Sequence, residues 1–119
     1  MMPKMLEMLK LLHDAGVPIV AGTDMPAGLS IQRELAIYVE AGLTPAEAIE
    51  TATLGAARVM GREKTSGSIA AGKDADLIIV DGDPLSDIAA LGELVTVMKS
   101  GVVYSAAEVA ESIGMRREP

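Results

Sequence analysis

Met5, Leu6, Leu9 and Leu12 recur at helical spacing and stop at Gly16, which predicts a helix closed by a glycine cap. An apolar run of strand length follows at residues 17–23 and ends on Asp24. The run predicts a buried strand, with Pro18 at its first positions, where no ladder hydrogen bond need be lost. Ser30 is placed to cap a second helix, whose Ile31, Leu35, Tyr38 and Val39 share a face before Ala41-Gly42 ends it. Thr44-Pro45-Ala46-Glu47 is the sharpest local signal. Thr44 is the N-cap, Pro45 takes the first helical position, and Glu47 reaches back to complete a capping box. Ala48, Ile49, Ala52, Ala56, Val59 and Met60 form the buried side of that predicted helix, and its alanines permit close approach to a neighbour.

The pattern changes near residues 61–67. Beyond Gly67, residues 75–81 predict a strand closed by Gly82-Asp83-Pro84, and residues 94–98 and 102–104 flank Lys99-Ser100-Gly101 as a hairpin. Ser105-Ala106-Ala107-Glu108 predicts a short final helix with a second capping box, and residues 115–119 are expected to fray. No internal repeat is present.

Composition narrows the partners. Half of the 119 residues are hydrophobic, yet the chain has no Phe, no Trp, two Tyr and eight Met. Such a core of small aliphatic side chains suits helix-on-sheet packing and offers little for stacking on bases. The net charge of −7, with no basic cluster, argues against nucleic acid and anionic membranes as partners. Without cysteine there is neither a disulfide framework nor a thiolate metal site, which fits a reducing cytoplasm. Glu7, Lys10, His13 and Asp14 interrupt the N-terminal apolar positions, so no signal peptide is read there, and no window approaches a membrane span.

Several residues invite chemistry. Asp24 stands at a strand end, where α/β folds place ligands, although a turn-capping role would also explain it. Gly67 to Lys73 reproduces the Gly-x4-Gly-Lys spacing of a phosphate loop, but Asp74 replaces the Ser or Thr, and the segment leads into a strand rather than a helix. A turn is the better reading. His13, the single histidine, is expected to serve the end of its own helix by bonding the last carbonyls. Asp81, Asp83 and Asp87 lack the glycine and terminal glutamate of a calcium loop and are read as turn formers and caps.

Four segments taken together resemble the C-terminal part of the metal-dependent amidohydrolase superfamily, closest to its imidazolonepropionase-like and prolidase-like members. They are residues 13–24, His13-Asp14-Ala15-Gly16 through Gly22-Thr23-Asp24; Arg33-Glu34-Leu35 with residues 40–49; Thr51-Ala52-Thr53-Leu54 through Arg58; and Gly67-Ser68-Ile69 with residues 72–77 and Asp83-Pro84-Leu85. The resemblance implies an α/β fold. Residues 1–62 would be the C-terminal fragment of a (β/α)8 TIM barrel (its last strand plus closing helices), 63–104 part of a small β-sandwich, and 105–119 a terminal helix and tail.

It further implies that Asp24 is the strand-eight aspartate. That residue contacts a divalent metal, zinc in this reading, takes a proton from the attacking water and passes it to the leaving amine. The family's histidine pair and remaining ligands have no counterpart here. One carboxylate falls short of the three or so protein ligands a catalytic metal takes, so the chain alone is expected neither to bind the metal tightly nor to be active. An internal start, a truncated frame and a fragment edge all account for Met1. The function so implied is hydrolysis of a carbon–nitrogen bond in a small-molecule substrate. The chain would work as a homo-oligomer or with a missing N-terminal barrel portion. The alternative is a non-catalytic α/β module that self-associates or binds a partner, since an isolated barrel strand and its helices lack neighbours.

Overall fold

The computed structural model describes residues 2–23 and 31–114. Asp24, Ser30 and the tail at 115–119 therefore lie outside the described residues. The helical half follows the caps. Helix α1 (Met2–Asp14) ends in a turn in which the Gly16 N–H donates to the His13 carbonyl and the Val17 N–H to that of Leu12, each at 3.0 Å. Gly16 adopts φ +79°, the left-handed conformation that favours glycine at this position. Helix α2 (Ile31–Ala41) buries Leu35 and Tyr38, as its apolar spacing predicts.

Helix α3 (Pro45–Thr51) begins in the predicted capping box. The Glu47 N–H donates to Thr44 Oγ1 at 3.1 Å, and the Thr44 N–H donates to Glu47 Oε1 at 2.9 Å. The helix expected to run on through Met60 is broken, however, and α4 (Leu54–Val59) starts afresh after Thr53, whose φ −129° and ψ −105° are not helical. Threonine hydroxyls account for part of the break, because they compete for main-chain carbonyls. Thr51 Oγ1 donates to the Ala48 carbonyl at 2.6 Å, and Thr53 Oγ1 to that of Ile49 at 2.9 Å. The Thr51 carbonyl is taken from outside the helix, by the Ala21 N–H at 2.9 Å.

Residues 17–23 depart from expectation. They form no strand, and no ladder runs beside them among the described residues. A strand needs a hydrogen-bonding neighbour, and the strands of this chain are paired elsewhere. Alternation survives only over residues 19–21, where Ile19 and Ala21 lie against the core and Val20 is exposed; Val17, on the Ile19 side by parity, is exposed as well.

The remaining elements are a three-stranded antiparallel sheet, a 3₁₀ helix and a last α-helix. Strands β1 (Leu77–Val80), β2 (Leu94–Lys99) and β3 (Val102–Ser105) pair in sequence order, with Leu77 opposite Met98 and Val97 opposite Tyr104. The predicted turn between β2 and β3 holds Ser100 at φ 51° and Gly101 at φ 81°, two positive values that match the right-handed twist of a tight hairpin. Asp76 fixes this turn from across the sheet: Oδ1 accepts from the Ser100 N–H at 2.8 Å, and Oδ2 pairs with Lys99 Nζ at 3.1 Å. The 3₁₀ helix Ile88–Gly92 is capped by Asp87 and sends Leu91 into the core beside Leu35, Tyr38, Leu43 and Ala48. Helix α5 (Ala106–Ser112) starts at Ser105, whose hydroxyl accepts from the Glu108 N–H at 3.4 Å.

Candidate functional site

The structure describes the approach to Asp24 rather than the residue itself. Two elements hold that approach. Helix α3 supplies the Thr51 carbonyl to Ala21, and Thr51 is itself buried. Helix α2 supplies Tyr38, a buried residue of the central cluster. Burial first, and then the hydrogen-bonded Glu34 side chain, pushes its phenol up to about 12, while a backbone hydrogen bond from Gly22 works in the opposite direction. Ala21 and Gly22 are thus anchored from two helices, two to three residues ahead of Asp24.

A second constellation lies at the start of the same segment. His13, Val17, Pro18, Glu47, Thr51 and Gly55 help to line a cavity of about 260 Å³. His13 was expected to serve its own helix end; its Nε2 instead meets Glu47 Oε2 at 2.6 Å, joining α1 to α3. Glu47 therefore uses both oxygens, one on the Thr44 N–H and one on the imidazole. Those contacts, the Thr44 backbone first and His13 next, hold its carboxyl down to about 2. The cavity opens at Val17, seven residues before Asp24, a separation of up to roughly 24 Å for extended chain. It belongs to the end of the segment that is farther along the chain from Asp24.

Metal ligation does not fit the described residues taken by themselves. Among the described residues no group of three or more His, Cys, Asp or Glu side chains is placed to hold an ion. The phosphate-loop spacing also resolves into structure. Lys73 Nζ donates to Ser68 Oγ at 2.7 Å, within a turn that leads into β1, so the lysine serves its own loop. Asp83 accepts from the Leu85 N–H and the Ser86 hydroxyl, each at 3.0 Å, and Asp87 from the Ala89 N–H at 3.0 Å. These are the turn and cap roles that their spacing predicts.

Sequence reasoning missed the His13–Glu47 pair and the attachment of Tyr38 to residue 22. The first joins residues 34 apart, and the capping box explains only one oxygen of Glu47. The second involves a backbone group, which leaves no trace in residue identity.

Comparison with known proteins gives a consistent picture. The sequence matches the model of the amidohydrolase family over residues 3–104. An imidazolonepropionase from Shouchella clausii is 35% identical over 98 residues, covering 76% of this chain and 22% of its own length. A crystal structure of a Xaa-Pro dipeptidase with bound methionine superposes with a TM-score of 0.80 at 34% identity, over 87% of this chain and 26% of that one. The ochratoxinase of Aspergillus niger superposes with a TM-score of 0.75 at 32% identity, over 84% of this chain and 24% of that one. This chain spans about a quarter of the length of these relatives.

Proposed function

The chain belongs to the amidohydrolase family, and on that premise we propose that it is the C-terminal portion of a metal-dependent hydrolase acting on a carbon–nitrogen bond. The substrate class is a small amide, cyclic amide or dipeptide-like molecule. The observation that carries the reading is the match over residues 3–104, which includes Asp24 at the end of a segment anchored at Ala21. Residues 17–23 correspond in this reading to the last barrel strand, residues 31–60 to the closing helices, and residues 68–104 to the sandwich portion. Asp24 is the general base and one oxygen ligand of a divalent metal, zinc in this reading. A carboxylate suits both tasks, being a hard ligand and a proton acceptor. The described residues do not assemble a metal site, and in this reading the remaining ligands belong to a preceding part of a longer protein.

The 119-residue chain with added zinc is expected to show no turnover on amide or dipeptide panels. The same chain joined to an upstream barrel portion is expected to turn over, with Asp24→Asn lowering the rate roughly 100- to 10,000-fold. Turnover by the isolated chain, or full activity of the Asp24→Asn variant in the joined protein, defeats the reading. A non-catalytic module is the second reading, favoured by the many large apolar side chains left exposed, among them Met5, Met8, Leu11, Ile69 and Val103. Such a module would show no metal-dependent turnover even when joined. No helix among the described residues is long and apolar enough to cross a membrane.

A further inference from the structure

The last turn of α3 is tighter than an ordinary helix end, and two hydroxyls complete it. In an unbroken helix the carbonyls of Ala48, Ile49 and Thr51 face the N–H groups of Ala52, Thr53 and Gly55. Here the Ala52 N–H turns to the Ile49 carbonyl at 3.0 Å, and the Thr53 N–H to that of Glu50 at 3.2 Å. Thr51 Oγ1 donates instead to the vacated Ala48 carbonyl at 2.6 Å. Thr53 Oγ1 donates to the Ile49 carbonyl at 2.9 Å, in place of its own N–H. This satisfaction matters because Ala48 is 0% and Thr51 6% exposed, and a buried carbonyl left without a donor is costly. The same turn directs the Thr51 carbonyl away from the helix, where the Ala21 N–H donates to it at 2.9 Å. Gly55 fits the arrangement, since a Cβ there would stand 2.8 Å from the Glu50 carbonyl oxygen and push the start of α4 off the turn.

Only Gly22 and Thr23 separate Ala21 from Asp24, so their α-carbons stay within roughly 11 Å of each other even in extended chain. Ala21 also packs against the core. Apolar contact is non-directional and leaves shift and rotation of the segment open, whereas a hydrogen bond sets both. Precision here has a large return, because misplacing a reacting group by about 1 Å costs on the order of 100-fold in rate. We propose that Thr51, assisted by Thr53, is a positioning residue for Asp24: its hydroxyl closes the end of α3, and its carbonyl is thereby free to fix Ala21 and the chain that leads to the carboxylate. The inference rests on the hydrolase reading of Asp24, and two measurements separate the failure of one from the failure of the other.

The first needs no turnover. Amide hydrogen exchange followed by NMR in the 119-residue chain is expected to find the Ala21 N–H protected. Thr51→Val should speed its exchange roughly tenfold or more while amides of the central strand β2 keep their rates, and Thr51→Ser should restore protection. The second measurement uses the chain joined to an upstream barrel portion. There Thr51→Val is expected to lower kcat roughly 10- to 100-fold with KM within about twofold of wild type, and Thr51→Ser to return kcat. An Ala21 amide that stays protected in Thr51→Val, or that opens only together with β2, overturns the proposal. So does a freed Ala21 with unchanged kcat, or a loss expressed in KM alone. An inactive wild-type joined protein sinks the hydrolase reading and the proposal with it, whereas an active one indifferent to Thr51→Val sinks the proposal alone. If Thr51→Val fails to fold, Thr53→Val, at an exposed hydroxyl, decides by the same two readings.

Discussion

At the scale of single residues, two titrating groups carry opposite consequences for stability. Glu47 is held at about 2 in the folded chain against an ordinary value of 4.5, so folding favours its charged form. That contribution is complete above pH 4.5 and is lost as pH falls from there toward 2. Glu47→Gln is expected to flatten this part of a urea-stability profile, with the wild type and variant converging at the acid end. Tyr38 behaves in the other sense. Its phenol titrates at about 12 when folded against an ordinary 10.0, so folding favours the neutral form. Stability is expected to fall as pH rises from 10 to 12, and Tyr38→Phe should remove that alkaline slope while losing the bond to Gly22. Absorbance near 295 nm follows the phenol directly, in a chain with no Trp and only one other Tyr. Glu47 was visible in the sequence as half of a capping box, whereas its grip on His13 was not. Residue identity specifies contacts within a helical turn; it says little about which side chain 34 residues away will fill the remaining lone pair.

At the scale of elements, glycine placement shows how tightly the helical half and the sheet half are joined. Gly67 stands at φ +93°, and an added Cβ would lie 2.7 Å from Ala57 Cβ and 2.9 Å from Leu54 Cα. Gly67→Ala is therefore expected to cost about 1–3 kcal/mol in chemical denaturation, because neither α4 nor the turn can yield without repacking. Thr44→Ala, which removes a cap at the start of α3, should cost about 1 kcal/mol by the same measurement.

Local signals in the sequence predicted the helices through α3, the hairpin turn and the acidic caps, because each is set by neighbours in the chain. Two features escaped them. The break at Thr53 arises where hydroxyls at 51 and 53 draw carbonyls out of the helical pattern, and the helix propensity of the surrounding alanines hid it. Residues 17–23 have the composition of a strand but no partner strand among the described residues, and pairing is not a property of one segment. For the candidate site the sequence supplied Asp24 and its family resemblance, and the structure supplied the anchors at Ala21 and Gly22.

At the scale of the whole molecule, the radius of gyration of 15.1 Å exceeds the roughly 13.5 Å expected of a compact chain of this length. The buried core is correspondingly small. It centres on Leu35, Tyr38, Leu43, Ala48 and Leu91, with no large side chain fully enclosed among the described residues. A chain spanning a quarter of its relatives' length, with this much surface, is expected to regain a compact outline only when other polypeptide covers it. The methionines on this surface have a chemical consequence of their own. Met5, Met8 and Met60 present exposed thioethers, which peroxide converts to polar sulfoxides. Mild oxidation followed by mass spectrometry thus maps coverage: all three are expected to react readily in the isolated chain, and any of them that other polypeptide covers should slow. Once oxidised, those positions would no longer present an apolar surface, so oxidative stress would act on assembly before it acted on the fold.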